Sequence, residues 1–228
     1  ANFDVNERDS LTYVAAERVY MRGETADARN SFIRYLQTFP EGAFSLNANY
    51  YIGLIDYNQQ NYASAAPYLN KVLEYPNNKY SEEAMMMSAE IAYIAKDYAQ
   101  SLEWYKLLKD RASTPERRQI AATGMLRSAA MSGNGEETIL AATAVLADAK
   151  VAPELESEAR HYRSKALVEA NQLAHAVADW EALAKDTRNV YGAEAKYRLA
   201  QYLFDSGKTK EAEQEVLNYL EVSTPHAY

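Results

Sequence analysis

Apolar residues recur along the chain at three- and four-residue intervals, and short polar turns interrupt them at regular distances. Residues 57–65 and 93–101 each contain a tyrosine, a polar turn, a second tyrosine five residues on and a small residue three further. We take that small residue as the anchor of a repeat. The anchors follow one another at spacings of 36 to 38 residues: Ala28, Ala65, Ser101, Thr138, Ala176 and Ala212. Self-similarity at such a period is typical of repeat architectures.

Three further positions keep the same register in all six repeats. The residue eight before the anchor is apolar: Tyr20, Tyr57, Tyr93, Ala130, Val168 and Phe204. The residue twelve before it is small in every repeat except the fourth: Ala16, Gly53, Ala89, Leu126, Ser164 and Ala200. The residue four after it is apolar: Phe32, Leu69, Tyr105, Ala142, Trp180 and Val216. Each repeat therefore predicts two antiparallel helices that approach closely at the small residues and pack against the next repeat.

Polar or glycine-bearing turns separate the two predicted helices of each repeat. They are Gly23-Glu24, Gln60-Asn61, Lys96-Asp97, Gly133-Asn134, Asn171-Gln172 and Gly207-Lys208. Glycine and asparagine tolerate the left-handed conformation that ends a helix. Prolines mark the junctions between repeats: Pro40, Pro76, Pro115, Pro153 and Pro225. Pro67 is the exception, and its place predicts the first turn of a second helix, where no amide donor is needed.

A small residue, a large apolar residue four further on and then a proline resemble the tetratricopeptide repeat, which Ala28, Phe32 and Pro40 match in register. Ile52-Gly53 matches the family's apolar–glycine pair, whereas the family's early tryptophan is absent from every repeat. The resemblance covers essentially the whole chain and implies an all-α, right-handed α-solenoid of six helix-turn-helix repeats. We expect one domain over residues 1–228, with repeats at about 9–42, 46–79, 82–114, 116–152, 154–189 and 191–224.

The end of the chain carries apolar residues that no later helix covers. Residues 224–228 resemble a further junction between repeats, and the last predicted helix contains Val216, Leu217, Leu220 and Val222. Terminal repeats normally present a polar outer face. We therefore expect the chain to belong to a longer array of repeats, with self-association through this face as the alternative.

Composition narrows the classes of partner. A hydrophobic content of 48% is enough for a substantial core. Because no apolar run reaches the roughly 20 residues that span a bilayer, we expect no transmembrane segment. The net charge of −8 disfavours nonspecific binding to nucleic acid or anionic membranes. Arg111, Arg117 and Arg118 form the best candidate basic patch, but a solvated helix start is the preferred interpretation of these residues.

No residue pattern indicates catalysis, a metal site or a cofactor. The absence of cysteine excludes disulfides, thiol nucleophiles and cysteine–metal sites. Residues 133–135 hold two glycines but are too short for a phosphate-binding loop. His161, His175 and His226 form no metal-binding pair, and the glutamates of residues 154–158 suit a helix start. We therefore expect a protein that is not an enzyme and binds no cofactor.

In tetratricopeptide proteins the first helix of each repeat lines a concave groove that binds ligands, and the resemblance implies the same here. The candidate groove residues are Tyr13, Glu17, Tyr20, Tyr50, Leu54, Tyr57, Met86, Glu90, Tyr93, Arg127, His161 and Tyr197. Tyrosine combines an apolar ring with a hydroxyl and is enriched at interaction hot spots. Core packing is the preferred interpretation of Tyr20, Tyr57 and Tyr93, and a packing or surface role is the preferred interpretation of His161; for these four residues the groove is the alternative. Tyr13, Tyr50 and Met86 are the preferred groove residues.

The resemblance implies a noncatalytic scaffold that binds an unidentified peptide or partner protein in this groove. A small-ligand or glycan-binding module is one alternative, and an accessory repeat segment of a larger envelope enzyme is another. The junctions at residues 39–44 and 75–84 are similar to those of bacterial cell-envelope repeat proteins, namely the periplasmic partner of TolA and the outer-membrane-assembly lipoproteins. This similarity implies a periplasmic or outer-membrane-associated location, with the cytoplasm as the alternative. The lipid-bearing cysteine of such lipoproteins has no counterpart in this sequence.

Overall fold

The computed structural model describes residues 4–186, 188 and 190–221, and within these ranges it contains twelve α-helices and no strand. The helices are α1 (Val5–Met21), α2 (Thr25–Thr38), α3 (Ser45–Asn58), α4 (Tyr62–Glu74), α5 (Ser81–Ile94), α6 (Tyr98–Arg111), α7 (Pro115–Ser132), α8 (Gly135–Leu146), α9 (Pro153–Glu169), α10 (Leu173–Leu183), α11 (Val190–Asp205) and α12 (Thr209–Glu221). They form six helical hairpins. Successive helices pack together from α1 to α6 and from α8 to α12, and Leu126 of α7 joins the apolar cluster of α8, which confirms the all-α repeat fold.

A residue with positive φ ends the first helix of every hairpin. These residues are Gly23, Gln60, Lys96, Gly133, Asn171 and Gly207, with φ between 56° and 79°. At Gln60 the backbone N–H donates to the carbonyl of Tyr57, and the next N–H donates to the carbonyl of Asp56. This pair of bonds is the Schellman motif, which satisfies the last carbonyls of the helix. Only three of the six turns use glycine, so hydrogen bonding in the turn outweighs the steric cost of a side chain in the other three.

Replacing Lys96 by glycine is expected to stabilise the protein by about 1 kcal/mol, because Lys96 has a φ of 62° and a left-handed residue with a Cβ costs roughly 1–2 kcal/mol. Urea unfolding would measure the gain. Lys150 is a matched control, since it is an exposed turn residue without positive φ. A gain of equal size from Lys150→Gly would contradict the left-handed strain as its cause.

The predicted small residues lie where the two helices of each hairpin cross. All six anchors are at most 4% exposed, and the six residues twelve positions earlier are buried too. At Gly53 an added Cβ would lie 2.8 Å from Cδ2 of Leu69, so the α3–α4 crossing leaves no room for a side chain. Among the residues four after the anchor, the buried ones are Phe32, Leu69, Ala142 and Trp180. Val216, on the last described helix, is 47% exposed.

One prediction about the second helices is wrong. Pro67 is the sixth residue of α4 and therefore lies beyond the first turn, inside the helix. Proline lacks the amide that would donate to the carbonyl four residues earlier, so the helix tolerates a missing bond at this exposed position. The buried side chains of Leu69 and Val72 hold the rest of α4 against its neighbours.

Contacts between residues divide the chain into two compact units, Ala1–Arg118 (unit 1) and Gln119–Tyr228 (unit 2). The core of unit 1 contains an aromatic cluster around Tyr13, Phe32 and Tyr35 and a second cluster around Leu69 and Met87. Unit 2 has one apolar cluster at α7–α9 and another at α9–α11. That the six repeats form a single domain stays a prediction. The expected junction at residues 224–228 lies outside the described residues, as do Val222 and His226.

Candidate functional site

A ring on the first helix of one hairpin stacks on a ring at the start of the first helix of the next hairpin, and this contact recurs along the chain. Tyr13 stacks on Phe44 with ring centroids 4.4 Å apart, Tyr50 on Tyr80 at 4.0 Å, and His161 on Tyr191 at 4.4 Å. The first ring of each pair lies fifteen residues before its anchor, and the second lies twenty-one before the next anchor. The same two repeat positions therefore form an aromatic contact between hairpins three times.

The prediction that Tyr13 lines a groove is wrong. Tyr13 is only 3% exposed and packs among Phe32, Tyr35 and Phe44, so it belongs to the core and does not line a groove. Its hydroxyl accepts a hydrogen bond from Asn47 at 3.3 Å. Burial raises the pKa of Tyr13 far above its usual range, which keeps the hydroxyl neutral.

The other candidate residues of unit 1 lie on the surface formed by α1, α3 and α5. Tyr20 contacts Tyr51 across α1 and α3 with ring centroids 4.8 Å apart, and the hydroxyl of Tyr57 donates to the carboxylate of Glu90 across α3 and α5. Most of these side chains are half-buried, and Glu90 is exposed. We call this surface the tyrosine face and define it by Glu17, Tyr20, Tyr50, Leu54, Tyr57, Met86, Glu90 and Tyr93.

Three tyrosines lie eight residues before an anchor: Tyr20, Tyr57 and Tyr93. Each packs against other side chains and is also partly exposed to solvent. Tyr20 and Tyr57 pack against the apolar clusters of unit 1. Tyr93 contacts Tyr98 edge-on, with ring centroids 5.1 Å apart. None of the three is fully buried. The structure therefore gives these three rings a packing role while part of each stays exposed, and their contact with a ligand stays a prediction.

Burial raises the pKa of Tyr50 and of Tyr51 to about 12, with nearby carboxylates and tyrosines adding to the effect. These folded-state pKa values exceed the ordinary 10.0, so the neutral hydroxyls stabilise the fold below pH 10 and lose that contribution as the pH rises towards 12. Between pH 10 and 12 we expect the absorbance of tyrosinate to increase while the helical circular dichroism signal decreases. Complete ionisation near pH 10 with intact helices would contradict this expectation.

The candidate residues of unit 2 are mostly engaged by charged neighbours. Arg127 makes a two-pronged ion pair with Glu158 at 2.7 and 2.9 Å. His161 lies 3.8 Å from Glu194, and burial lowers the pKa of the imidazole while Glu194 opposes that shift. Tyr197 is 44% exposed and occupies the repeat position of Tyr50 and His161 in the last hairpin.

Two cavities accompany these residues in unit 2. The first measures about 410 Å³ and is lined by both polar and apolar side chains, including His161, Lys165, Trp180, Tyr191, Glu194 and Arg198. The second measures about 530 Å³, is mostly apolar, and contains Tyr197, Phe204, Val216 and Leu217. Among the described residues no cluster of three metal-ligating side chains occurs, and no described helix is long and apolar enough to cross a membrane.

Sequence reasoning missed the second ring of each stack, Phe44, Tyr80 and Tyr191, because these residues lie at or near the junctions. The shared spacing from the next anchor is the signal that would have revealed them. It also missed the buried ion pairs, in which Arg29 binds Asp56, and Arg160 and Arg163 bind Asp179. Both carboxylates are 1% exposed, but no motif in a single sequence marks which charged residues pair.

The chain belongs to the tetratricopeptide repeat family, whose model matches residues 13–79, 50–115 and 163–228. Among solved structures, the MamA RS-1 ArsTM double mutant is 17% identical with a TM-score of 0.52 over 77% of this chain and 92% of that one. The apo quorum sensor NprR from B. thuringiensis is 11% identical with a TM-score of 0.49 over 99% of this chain and 67% of that one. The first similarity supports the fold alone. The search of curated proteins found no match.

Proposed function

We propose that the protein is a noncatalytic scaffold that holds a peptide or a partner protein on the tyrosine face of unit 1. Tetratricopeptide repeat proteins generally serve as interaction scaffolds. The observation that carries the assignment is the row of half-buried tyrosines Tyr20, Tyr57 and Tyr93 at one repeat position on three successive first helices. Such rings supply a large contact area at a small cost in side-chain entropy.

Photo-crosslinking tests this proposal. A photoreactive phenylalanine derivative replaces Tyr20 on α1 or, as the control, the exposed Gln37 on α2, and each variant is irradiated in extract of the source organism. We expect a discrete protein adduct from position 20 and none of that mass from position 37. No adduct from position 20, or the same adduct from both positions, would refute binding at the tyrosine face.

A small-ligand module is the second candidate, and the cavity of about 410 Å³ beside His161 favours it. Cavities of a few hundred cubic ångströms with convergent polar groups are typical of small-molecule sites. Soluble glycans and small acids that raise the melting temperature of the wild type but not of a Lys165→Ala variant would support this reading. Equal shifts in both proteins would contradict it.

We propose the bacterial cell envelope as the location, in the periplasm or at the outer membrane. The support is the similarity of the junction at residues 75–84 to those of envelope repeat proteins. Fractionation of the source organism, followed by immunodetection, would test the proposal. Recovery of the protein solely with cytoplasmic markers would overturn it.

A further inference from the structure

The first helices of the two units differ in charge at equivalent repeat positions. Eleven residues before the anchor, the first three repeats carry Glu17, Leu54 and Glu90, whereas the last three carry Arg127, Lys165 and Gln201. Eight residues before the anchor, the first three repeats carry tyrosine and the last three carry Ala130, Val168 and Phe204. At these two repeat positions, aromatic rings and carboxylates therefore coincide in unit 1 and not in unit 2.

Helices α3 and α5 contain no lysine, arginine or histidine. Their acidic residues have different surroundings: Asp56 is buried against Arg29, and Glu82 and Glu83 bind Arg117. Glu90 is exposed and accepts a hydrogen bond from the neutral hydroxyl of Tyr57. Glu17 on α1 is half-buried beside the same surface. Glu17 and Glu90 therefore give the tyrosine face two carboxylates that no described cation neutralises through a salt bridge.

We infer that the tyrosine face binds a segment of a partner protein that carries arginine or lysine side chains. This inference rests on the proposed scaffold function and adds the chemistry of the partner. A cation within about 6 Å of a tyrosine ring is attracted by the ring's π-electrons, and a carboxylate beside the ring adds a charge-assisted hydrogen bond. Glu17 lies one helical turn before Tyr20 on α1 and also accepts a hydrogen bond from Tyr13, while Glu90 accepts one from Tyr57. Carboxylate and ring are thus combined twice. An acidic segment would meet repulsion at both places.

The probe is a fluorescent peptide of alternating arginine and serine, compared with its counterpart containing glutamate in place of arginine. We expect the intact protein to bind the arginine peptide at least roughly tenfold more tightly, and the affinity to fall as salt is added. The double variant Glu17→Gln/Glu90→Gln should weaken the arginine peptide by about tenfold, since each exposed charge pair contributes up to about 1 kcal/mol. Glutamine can still accept from Tyr13 at position 17 and from Tyr57 at position 90, so the melting temperature should be unchanged.

Any acidic protein attracts arginine, and the control variant must therefore remove the same charge elsewhere. Glu211 and Glu213 are exposed on α12 of unit 2, and Glu211→Gln/Glu213→Gln changes the net charge by the same amount. We expect it to bind like the wild type. Equal weakening in both double variants would overturn the inference.

The outcome also separates this inference from the scaffold function. A protein crosslinked at position 20, together with no preference for the arginine peptide, would overturn the charge assignment and leave the scaffold function intact.

A Tyr20→Leu variant tests the contribution of the ring, because leucine keeps apolar bulk but removes the π-face. We expect it to weaken the arginine peptide several-fold. Unchanged binding would contradict the role given to Tyr20.

Discussion

Replacing Arg29 with alanine is expected to destabilise the protein by about 3 kcal/mol, one of the two largest effects that we expect from a single substitution. Arg29 holds Asp56 with two hydrogen bonds of 2.6 and 2.8 Å, and Asp56 is 1% exposed. Removing one member of a buried pair leaves an uncompensated charge, which typically costs 3–5 kcal/mol. The side chain of Arg29 is 27% exposed, and we therefore take the lower end of that range. Urea unfolding at neutral pH would measure the loss.

Arg22 gives the matched control for Arg29. It binds Glu24 at 2.8 and 3.2 Å, with comparable geometry but with both side chains about half exposed. Solvent screens such an exposed pair, so Arg22→Ala should change stability little. If Arg22→Ala destabilised the protein as much as Arg29→Ala, loss of the arginine side chain itself, and not burial of its partner, would explain both results.

The repeat pattern predicted the hairpins because it reports a steric requirement that each unit shares. Small side chains at the anchors and twelve residues earlier let two helices approach, and the structure buries both sets. The left-handed turn residues were predictable for the same reason, even where Gln60 and Lys96 replace glycine. Such requirements recur in every repeat, so a single chain contains six independent examples of them.

The candidate groove was harder to predict because helical periodicity marks a helix face without saying what covers it. Tyr13, Tyr50, His161 and Tyr197 share one repeat position, yet their exposure differs with the residue that meets them from the next hairpin. Phe44 covers Tyr13, and Tyr80 and Tyr191 cover only part of Tyr50 and His161. The buried ion pairs have no recurring signature: Arg29 and Asp56 join the first repeat to the second, whereas Arg160 and Arg163 bind Asp179 within the fifth.

Different positions of the first helices serve packing between hairpins and the proposed ligand binding. The residue fifteen before the anchor serves contact between hairpins, because three of these residues stack on a ring of the following hairpin. The residues eleven and eight before the anchor take no part in the ring stack. The first of them varies in charge between the units, and the second is tyrosine in the first three repeats and in none of the last three. A scaffold can change its ligand at the second set of positions without disturbing the stack, and Glu17, Tyr20 and Glu90 are therefore better targets for binding variants than Tyr13.

Phe32→Ala is expected to cost about 3–5 kcal/mol, because it removes a fully buried ring from the core of unit 1. Phe32 is 0% exposed, stacks on Tyr51 at 5.1 Å and contacts Tyr13 at 6.0 Å, so its loss opens a cavity between three helices. Phe204 is the matched control, since it is 63% exposed on α11 and Phe204→Ala should change stability little. Chemical denaturation of both variants would measure the difference. Equal losses would mean that Phe204 is covered in solution by a helix or partner, on the apolar surface that it shares with Val216 and Leu217.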